Sequence, residues 1–262
     1  MRAVVRWFFV ALLIFTGDRA SAGGSDRSVP ILVYHRFSEA ATELTTIRTA
    51  TFVQELELLR ANRISVLPLH EVVGRIRAGK LLAESPSVVL TVDDGHESVY
   101  TKMFPVILRY RVPVTLFVYP SAISNSKTAM TWEQLTEMGA SGLVDVQSHT
   151  FWHPNFNIEK SRLAPAAYEQ FARDQLVLSK SRIEKKLGNR VDLLSWPFGI
   201  HDPQLEKMAA EAGYVAGFTI ERQRVKGEEE PFALPRFEVT DADRGARFET
   251  LVTGRPPNGT RQ

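Results

Sequence analysis

The chain has no cysteine. Disulfides and thiolate metal sites are therefore excluded, and any transition-metal site must use His and carboxylate ligands. A long apolar run is also missing. Residues 7–15 are apolar, which falls short of the about 20 residues that span a bilayer. Preceded by Arg2 and Arg6 and followed by Ala20-Ser21-Ala22, this stretch reads as a secretory signal peptide over residues 1–22; an uncleaved anchor is the alternative. The expectation is an exported protein, periplasmic or extracellular, with no stable membrane span after cleavage. A cysteine-free chain avoids mispairing in that oxidising setting. Excess charge is absent too. Residues 1–22 carry three Arg and one Asp, so the remainder balances at 29 basic and 29 acidic side chains. No basic patch argues for nucleic acid. The basic run 180–186 lies in a helical pattern and reads as a solvated face. There is no internal repeat and no low-complexity linker, and nothing sets an oligomeric state.

What is present is a regular alternation of strand-like and helix-like segments. Strands are expected at residues 30–34, 64–67, 88–92, 114–119, 143–147, 191–196, 214–218 and 233–239. Helices are expected from Thr51 (with Gln54 completing a capping box), over 70–78, from Pro105 to about Tyr110, from Thr131 (Gln134 again completing a box) to a stop at Gly139, over 165–187 before Gly188, and from Asp202–Pro203 to Gly213. Such alternation implies a parallel sheet. Seven or eight units in one domain, residues 29–254, point to a (β/α) barrel, with a doubly wound sheet as the alternative architecture. The Pro/Gly/Arg/Asn-rich residues 255–262 read as a flexible tail.

Unusual polar residues fall just past strand ends. The apolar run Val88-Val89-Leu90-Thr91-Val92 ends in Asp93-Asp94-Gly95. Neighbouring carboxylates repel and need a cation or a proton. His149 and His153 follow another strand-like run and are spaced so that both imidazoles can meet one point. Asp94, His149 and His153 are thus candidate ligands of one divalent ion, zinc by default, with cobalt, nickel, manganese or iron also accepted by such donors. Three protein ligands leave room for water and substrate. Asp93 is the candidate general base. His35, ending the first strand, is the candidate acid. In the turn Trp196-Pro197-Phe198-Gly199, the Phe198 N–H could meet an oxyanion and the aromatic rings could stack on a sugar. Each signature alone has a plainer reading: a turn, an accidental His pair, a structural His, a tight turn with core aromatics. Together they fall at strand ends, which converge on one rim of a barrel.

At these residues the chain resembles the polysaccharide deacetylases of the NodB-homology type, carbohydrate esterase family 4. The resemblance rests on Thr91-Val92-Asp93-Asp94-Gly95, Ser148-His149-Thr150-Phe151-Trp152-His153-Pro154 and Trp196-Pro197-Phe198-Gly199, and extends over about residues 29–240. It implies a distorted (β/α)7-type TIM-like barrel and metal-dependent hydrolysis of N-acetyl groups on an N-acetylglucosamine-containing polysaccharide. By motif position, Asp93 would be the base and Asp94, His149 and His153 the metal ligands. Two features depart from the family pattern. Its third motif usually opens with Arg where this chain has Ser195, and a C-terminal Leu-x-His is missing. Tyr34-His35 instead resembles the branch typified by biofilm poly-N-acetylglucosamine deacetylases, where a first-strand His takes that place. Arg236, Asp241 and Asp243 are left as supporting candidates without assigned roles. The alternatives are a non-catalytic glycan-binding module of the same fold, or a metal-dependent amidase or esterase acting on small acetylated substrates.

Overall fold

The computed structural model describes residues 28–255 except 42, 81 and 84; the expected signal peptide and residues 256–262 lie outside the described part. In chain order the elements are β1 (Ile31–Tyr34), β2 (Arg36–Ser38), β3 (Thr46–Arg48), α1 (Thr49–Ala61), β4 (Ser65–Val66), α2 (Leu69–Arg77) and β5 (Ser87–Asp94). A π-helical turn, Val99–Met103, leads into α3 (Phe104–Tyr110), then β6 (Val114–Val118), α4 (Trp132–Ala140), β7 (Val144–Ser148), α5 (Phe156–Arg162) and α6 (Pro165–Leu187). The chain continues through β8 (Leu193–Ser195), α7 (Pro203–Glu211), β9 (Ala216–Phe218), β10 (Phe237–Glu238) and α8 (Ala246–Thr253).

All strands of the main sheet are parallel, in the order β10-β1-β5-β6-β7-β8-β9. β4 borders the first half of β5, with Ser65 opposite Ser87, and β6 borders the second half, with Thr91 opposite Thr115. Side chains alternate between two cores, as a pleated strand requires. Ile31, Val89, Phe117, Leu193 and Phe218 fill an inner core; Leu32, Leu90, Leu116 and Leu194 pack on the surrounding helices. Both faces are buried, so the strands read as continuous apolar runs. α2 contributes Leu69, Val72 and Val73 to the inner core and closes the N-terminal end of the sheet.

Residues 231–239 tie the two sheet edges together. The Leu234 N–H donates to Gly217 O, the Thr219 N–H donates to Leu234 O, and the Val239 N–H donates to Val33 O. The strand expected over 233–239 is reduced to the two residues of β10, because the segment changes partner midway, at Pro235, which has no N–H to offer. The result is a single-domain, curled, barrel-like sheet, as expected from the alternation, with the doubly wound alternative set aside.

Local signals fared unevenly. The Thr131–Gln134 capping box forms, as do the Asp202 cap and the Gly188 stop. The Thr51–Gln54 box does not. α1 begins two residues earlier, and a distant residue supplies the cap: Asp241 Oδ1 accepts from the Arg48 N–H at 3.1 Å and from the Thr51 hydroxyl at 2.7 Å. Gly139 lies inside the last turn of α4, and Gly142 takes the left-handed conformation after it. The helices α5 and α8 were not anticipated.

Candidate metal centre and active site

β5 carries two carboxylates to its C-terminal tip, and the turn there separates them. Asp93 is buried at 2% exposure inside the sheet. Asp94 takes a left-handed φ of 74° and points into the open rim. Gly95 follows at φ 80°, its N–H donating to Asp93 O. A side chain at Gly95 would meet Ile123 and Val118 at 3.0 and 3.1 Å. The turn that splits the acid pair therefore depends on glycine for both its φ and its close packing.

The histidines come from the loop after β7. The His149 N–H donates to Val118 O at 2.8 Å, which carries the parallel ladder one residue past the strand end. The His149 Nδ1 lies 2.8 Å from Ser195 O. A carbonyl only accepts, so Nδ1 bears the proton and Nε2 keeps its lone pair toward the rim. His149 Nε2 and His153 Nε2 stand 3.6 and 3.7 Å from Asp94 Oδ1. One ligand atom from each of Asp94, His149 and His153 lies within 4.8 Å of the others. Ligands about 2.1 Å from a tetrahedral zinc would be roughly 3.4 Å apart, so the three donors fit one small divalent ion. Burial, then the neighbouring His149, push His153 down to about 4. It is thus neutral at pH 7, as a ligand must be.

Asp93 has a different environment. Arg236 Nη1 donates to Oδ1 at 2.9 Å and Nη2 to Oδ2 at 2.7 Å, a bidentate pair; the Ser195 hydroxyl donates to Oδ2 at 2.8 Å. Burial alone would raise this carboxyl, but the charge and hydrogen bonds of Arg236 hold it well below the usual range. Arg236 itself is fully buried. Its Nε donates to Thr219 O, and its guanidinium lies over the neighbouring Phe117 and Phe218 rings, 5.4 and 6.0 Å from their centroids. A buried cation is tolerated only when every donor is engaged and a counter-charge is near. The guanidinium missing from position 195 therefore arrives from the strap that closes the barrel, and Ser195 joins the same network. One sign of it was legible: an arginine inside a strand-like segment, 233–239.

The other expected residues divide. His35 is half-buried, close enough for its charge to act on Asp93, and its Nδ1 is buried without a hydrogen-bond partner. Phe198 reaches the rim: it is 55% exposed, at φ 57°, with its ring 4.7 Å from that of His153. Trp196 and Pro197 do not; both are core residues. The Trp196 Nε1 donates to Phe232 O at 2.8 Å, across a gap that exists because Gly217 has no side chain. No sugar can stack on a fully buried indole, which leaves Phe198 as the exposed aromatic ring of this turn. Asp241 caps α1 and pairs with Arg48, and Asp243 accepts from the Thr240 N–H and hydroxyl; both shape loops rather than the site. Of the seven non-glycine residues with positive φ among the described residues, four (Asp94, Thr150, His153 and Phe198) belong to this rim. Backbone strain of this kind concentrates where surrounding structure holds functional groups in place.

The comparisons with known proteins point the same way. Residues 82–217 match the family model described as polysaccharide deacetylase. The poly-β-1,6-N-acetyl-D-glucosamine N-deacetylase of Staphylococcus epidermidis is 26% identical over 206 residues, covering 77% of this chain and 69% of that protein. The fold is shared with Streptococcus pyogenes deacetylase PplD, solved in complex with acetate (TM-score 0.76, 22% identity, 87% of this chain and 99% of that one). IcaB from Ammonifex degensii is also similar (TM-score 0.72, 24% identity, 86% and 97% covered). With the family model matched over more than half its length, the chain belongs to the NodB-homology polysaccharide deacetylases, carbohydrate esterase family 4.

Proposed function

We propose that this protein is an exported, metal-dependent hydrolase that removes N-acetyl groups from a polysaccharide containing N-acetylglucosamine. Residues 1–22 act as the export signal, and residues 29–254 form the catalytic domain. Asp94, His149 and His153 hold one divalent ion, most simply zinc; when bound, it supplies Lewis acidity that activates water and polarises the acetamide carbonyl. Asp93 accepts the proton of the attacking water. Arg236 and Ser195 fix its carboxylate and keep it ionised at neutral pH. The same bonds make it a weak base, so the water must be made acidic for the transfer to be favourable. The Phe198 N–H, which has no acceptor among the described residues, stabilises the developing oxyanion. His35 gives a proton to the departing amine, and acetate and a free amino sugar result.

The observation that carries this reading is the convergence of three neutral or anionic donors beside a second carboxylate that is separately locked by a buried guanidinium. A merely structural acid pair would need no such separation of roles. The S. epidermidis relative, named for N-deacetylation of a β-1,6-linked N-acetylglucosamine polymer, supports the substrate class. The decisive experiment is Asp93→Asn. It should lower acetate release from poly-N-acetylglucosamine by ~10²–10⁴-fold while one metal ion per chain is retained. An active Asp93→Asn enzyme would refute the base assignment.

A further inference from the structure

Tyr119 stands one residue past β6, between the strands that lead to the candidate metal ligands. Val118 lies opposite Asp94 on β5 and opposite Ser148 on β7, and neighbouring strands are about 4.8 Å apart. Residue 119 therefore belongs to the catalytic rim by strand pairing. The backbone around it is fixed: the Ser121 N–H donates to Phe151 O, and the Ala122 N–H donates to Tyr119 O. The Tyr119 ring lies 5.5 Å from that of His153, centroid to centroid, and Phe198 meets the same imidazole at 4.7 Å. The chain has six tyrosines. Four donate their hydroxyl to a protein acceptor: Tyr34 to Glu55, Tyr100 to Glu137, Tyr110 to Glu57 and Tyr214 to Leu176 O. The Tyr168 hydroxyl is unpaired but sealed from solvent. Tyr119, half-buried, is the one whose hydroxyl is unpaired among the described residues and also open.

Packing against His153 accounts for the ring, and a phenylalanine would serve there as well. It does not account for the hydroxyl. A partly buried phenol ordinarily finds a hydrogen-bond partner, and a polar group left without one calls for a reason. Burial and then the charge of Asp94 push this phenol up, so at pH 7 it is a neutral hydroxyl that both donates and accepts. A sugar hydroxyl answers such a group in both directions. An acetamide carbonyl only accepts, and the Phe198 N–H already serves it. Resting on the reading given under Proposed function, we infer that the Tyr119 hydroxyl bonds a ring hydroxyl of the sugar whose acetamide lies at the candidate metal centre. Tyr119 is then a specificity residue. The site recognises the pyranose as well as the amide, and small acetylated amines are poor substrates because they leave this hydroxyl unpaired.

The test uses Tyr119→Phe, which keeps the ring on His153 and removes only the hydroxyl. With zinc-loaded enzyme and β-1,6-linked N-acetylglucosamine oligomers, KM should rise by about 3- to 10-fold, the worth of one neutral hydrogen bond, while kcat and zinc content stay unchanged. Oligomers of 3-deoxy and of 4-deoxy sugars identify the partner. On the one that lacks the bonded hydroxyl, wild type should show the same loss, and Tyr119→Phe should lose nothing further. A KM equal to that of wild type would overturn the inference. So would a loss that Tyr119→Phe shows undiminished on both deoxy oligomers. A fall in kcat alone would make the hydroxyl a donor to the transition state, and weaker zinc binding with KM unchanged would make it a support of the metal centre; either result overturns the sugar contact. Any of these leaves the deacetylase standing. No acetate from any oligomer with wild type would remove the deacetylase reading. Calorimetric binding of the intact oligomer would then decide Tyr119 alone: a Kd raised by about 3- to 10-fold in Tyr119→Phe supports the contact, and an equal Kd overturns it.

Discussion

The two ends of the curled sheet both set histidine against aspartate, and the outcomes are opposite. At the C-terminal rim, His149 and His153 each place Nε2 3.6–3.7 Å from Asp94 Oδ1, while Asp93, whose Oδ2 lies 3.7 Å from His149 Nε2, is already taken by Arg236. Burial and mutual repulsion keep His153 neutral. At the N-terminal end, one histidine stands between two acids: His70 of α2 places Nδ1 2.9 Å from Asp145 Oδ2 and Nε2 2.7 Å from Asp192 Oδ1. Asp145 and then Asp192 push its imidazole up to about 9. Two acids beside one imidazole favour an imidazolium clamp: Nε2 is hydrogen-bonded to Asp192, and Nδ1 lies at ion-pair distance from Asp145. Two imidazoles facing the one carboxylate that no guanidinium occupies direct nitrogen and oxygen lone pairs at a common point, which suits a cation. The residue types are the same; the ratio of donors to acceptors and the direction of the nitrogens decide the chemistry.

The largest effect that separates the two ends is metal binding. His149→Ala should weaken zinc binding by at least ~100-fold, seen as loss of metal after dialysis against trace zinc, whereas His70→Gln should keep full occupancy. Stoichiometric zinc in His149→Ala would break the comparison. A smaller effect concerns the locked carboxylate beside the rim. Arg236→Met leaves Asp93 buried without its counter-charge and should cost ~3–5 kcal/mol, or roughly 10 °C in Tm. Its acid limb in the pH–rate profile should move upward, because the carboxyl loses the cation that depresses it. Adding Asp93→Asn to Arg236→Met should restore part of the lost stability, since no unpaired charge remains.

The smallest effect belongs to the clamp. His70 has a folded pKa of about 9, above the ~6.5 of a free histidine. Its contribution to stability is complete below about pH 6.5 and falls as pH rises toward about 9, because the folded state binds the extra proton. Urea midpoints for wild type should decline across that window more steeply than for His70→Gln. Parallel slopes would show that the imidazolium contributes nothing, which its partial exposure makes the more damaging result for the comparison.

Particular residues show how far the sequence could be read. Asp93-Asp94-Gly95 and the His149–His153 pair were legible because strand ends and turn glycines leave local marks. Their convergence followed from the rule that parallel strand ends share one rim. Arg236 could be named as a supporting candidate but given no role, because its partner lies 143 residues away. The same holds for Asp241, which caps α1 from 193 positions off while the local Thr51–Gln54 signal went unused. The aromatic rings of the turn 196–199 were read together as able to stack on a sugar, because a short aromatic turn carries no sign of which ring faces inward; the missing side chain at Gly217 made room for Trp196 in the core.

By itself, the sequence determined the alternation of elements, the parallel sheet, the donor types available to a metal, and the positions at which they occur. Those properties depend on neighbours within a few residues and on hydrogen-bonding capacity, which each residue carries wherever it is placed. Only the tertiary structure decided which guanidinium holds Asp93, and which histidine stays neutral and which becomes charged. Those outcomes depend on burial and on distances between segments far apart in the chain, and both are set by how the sheet curls and where its two edges meet.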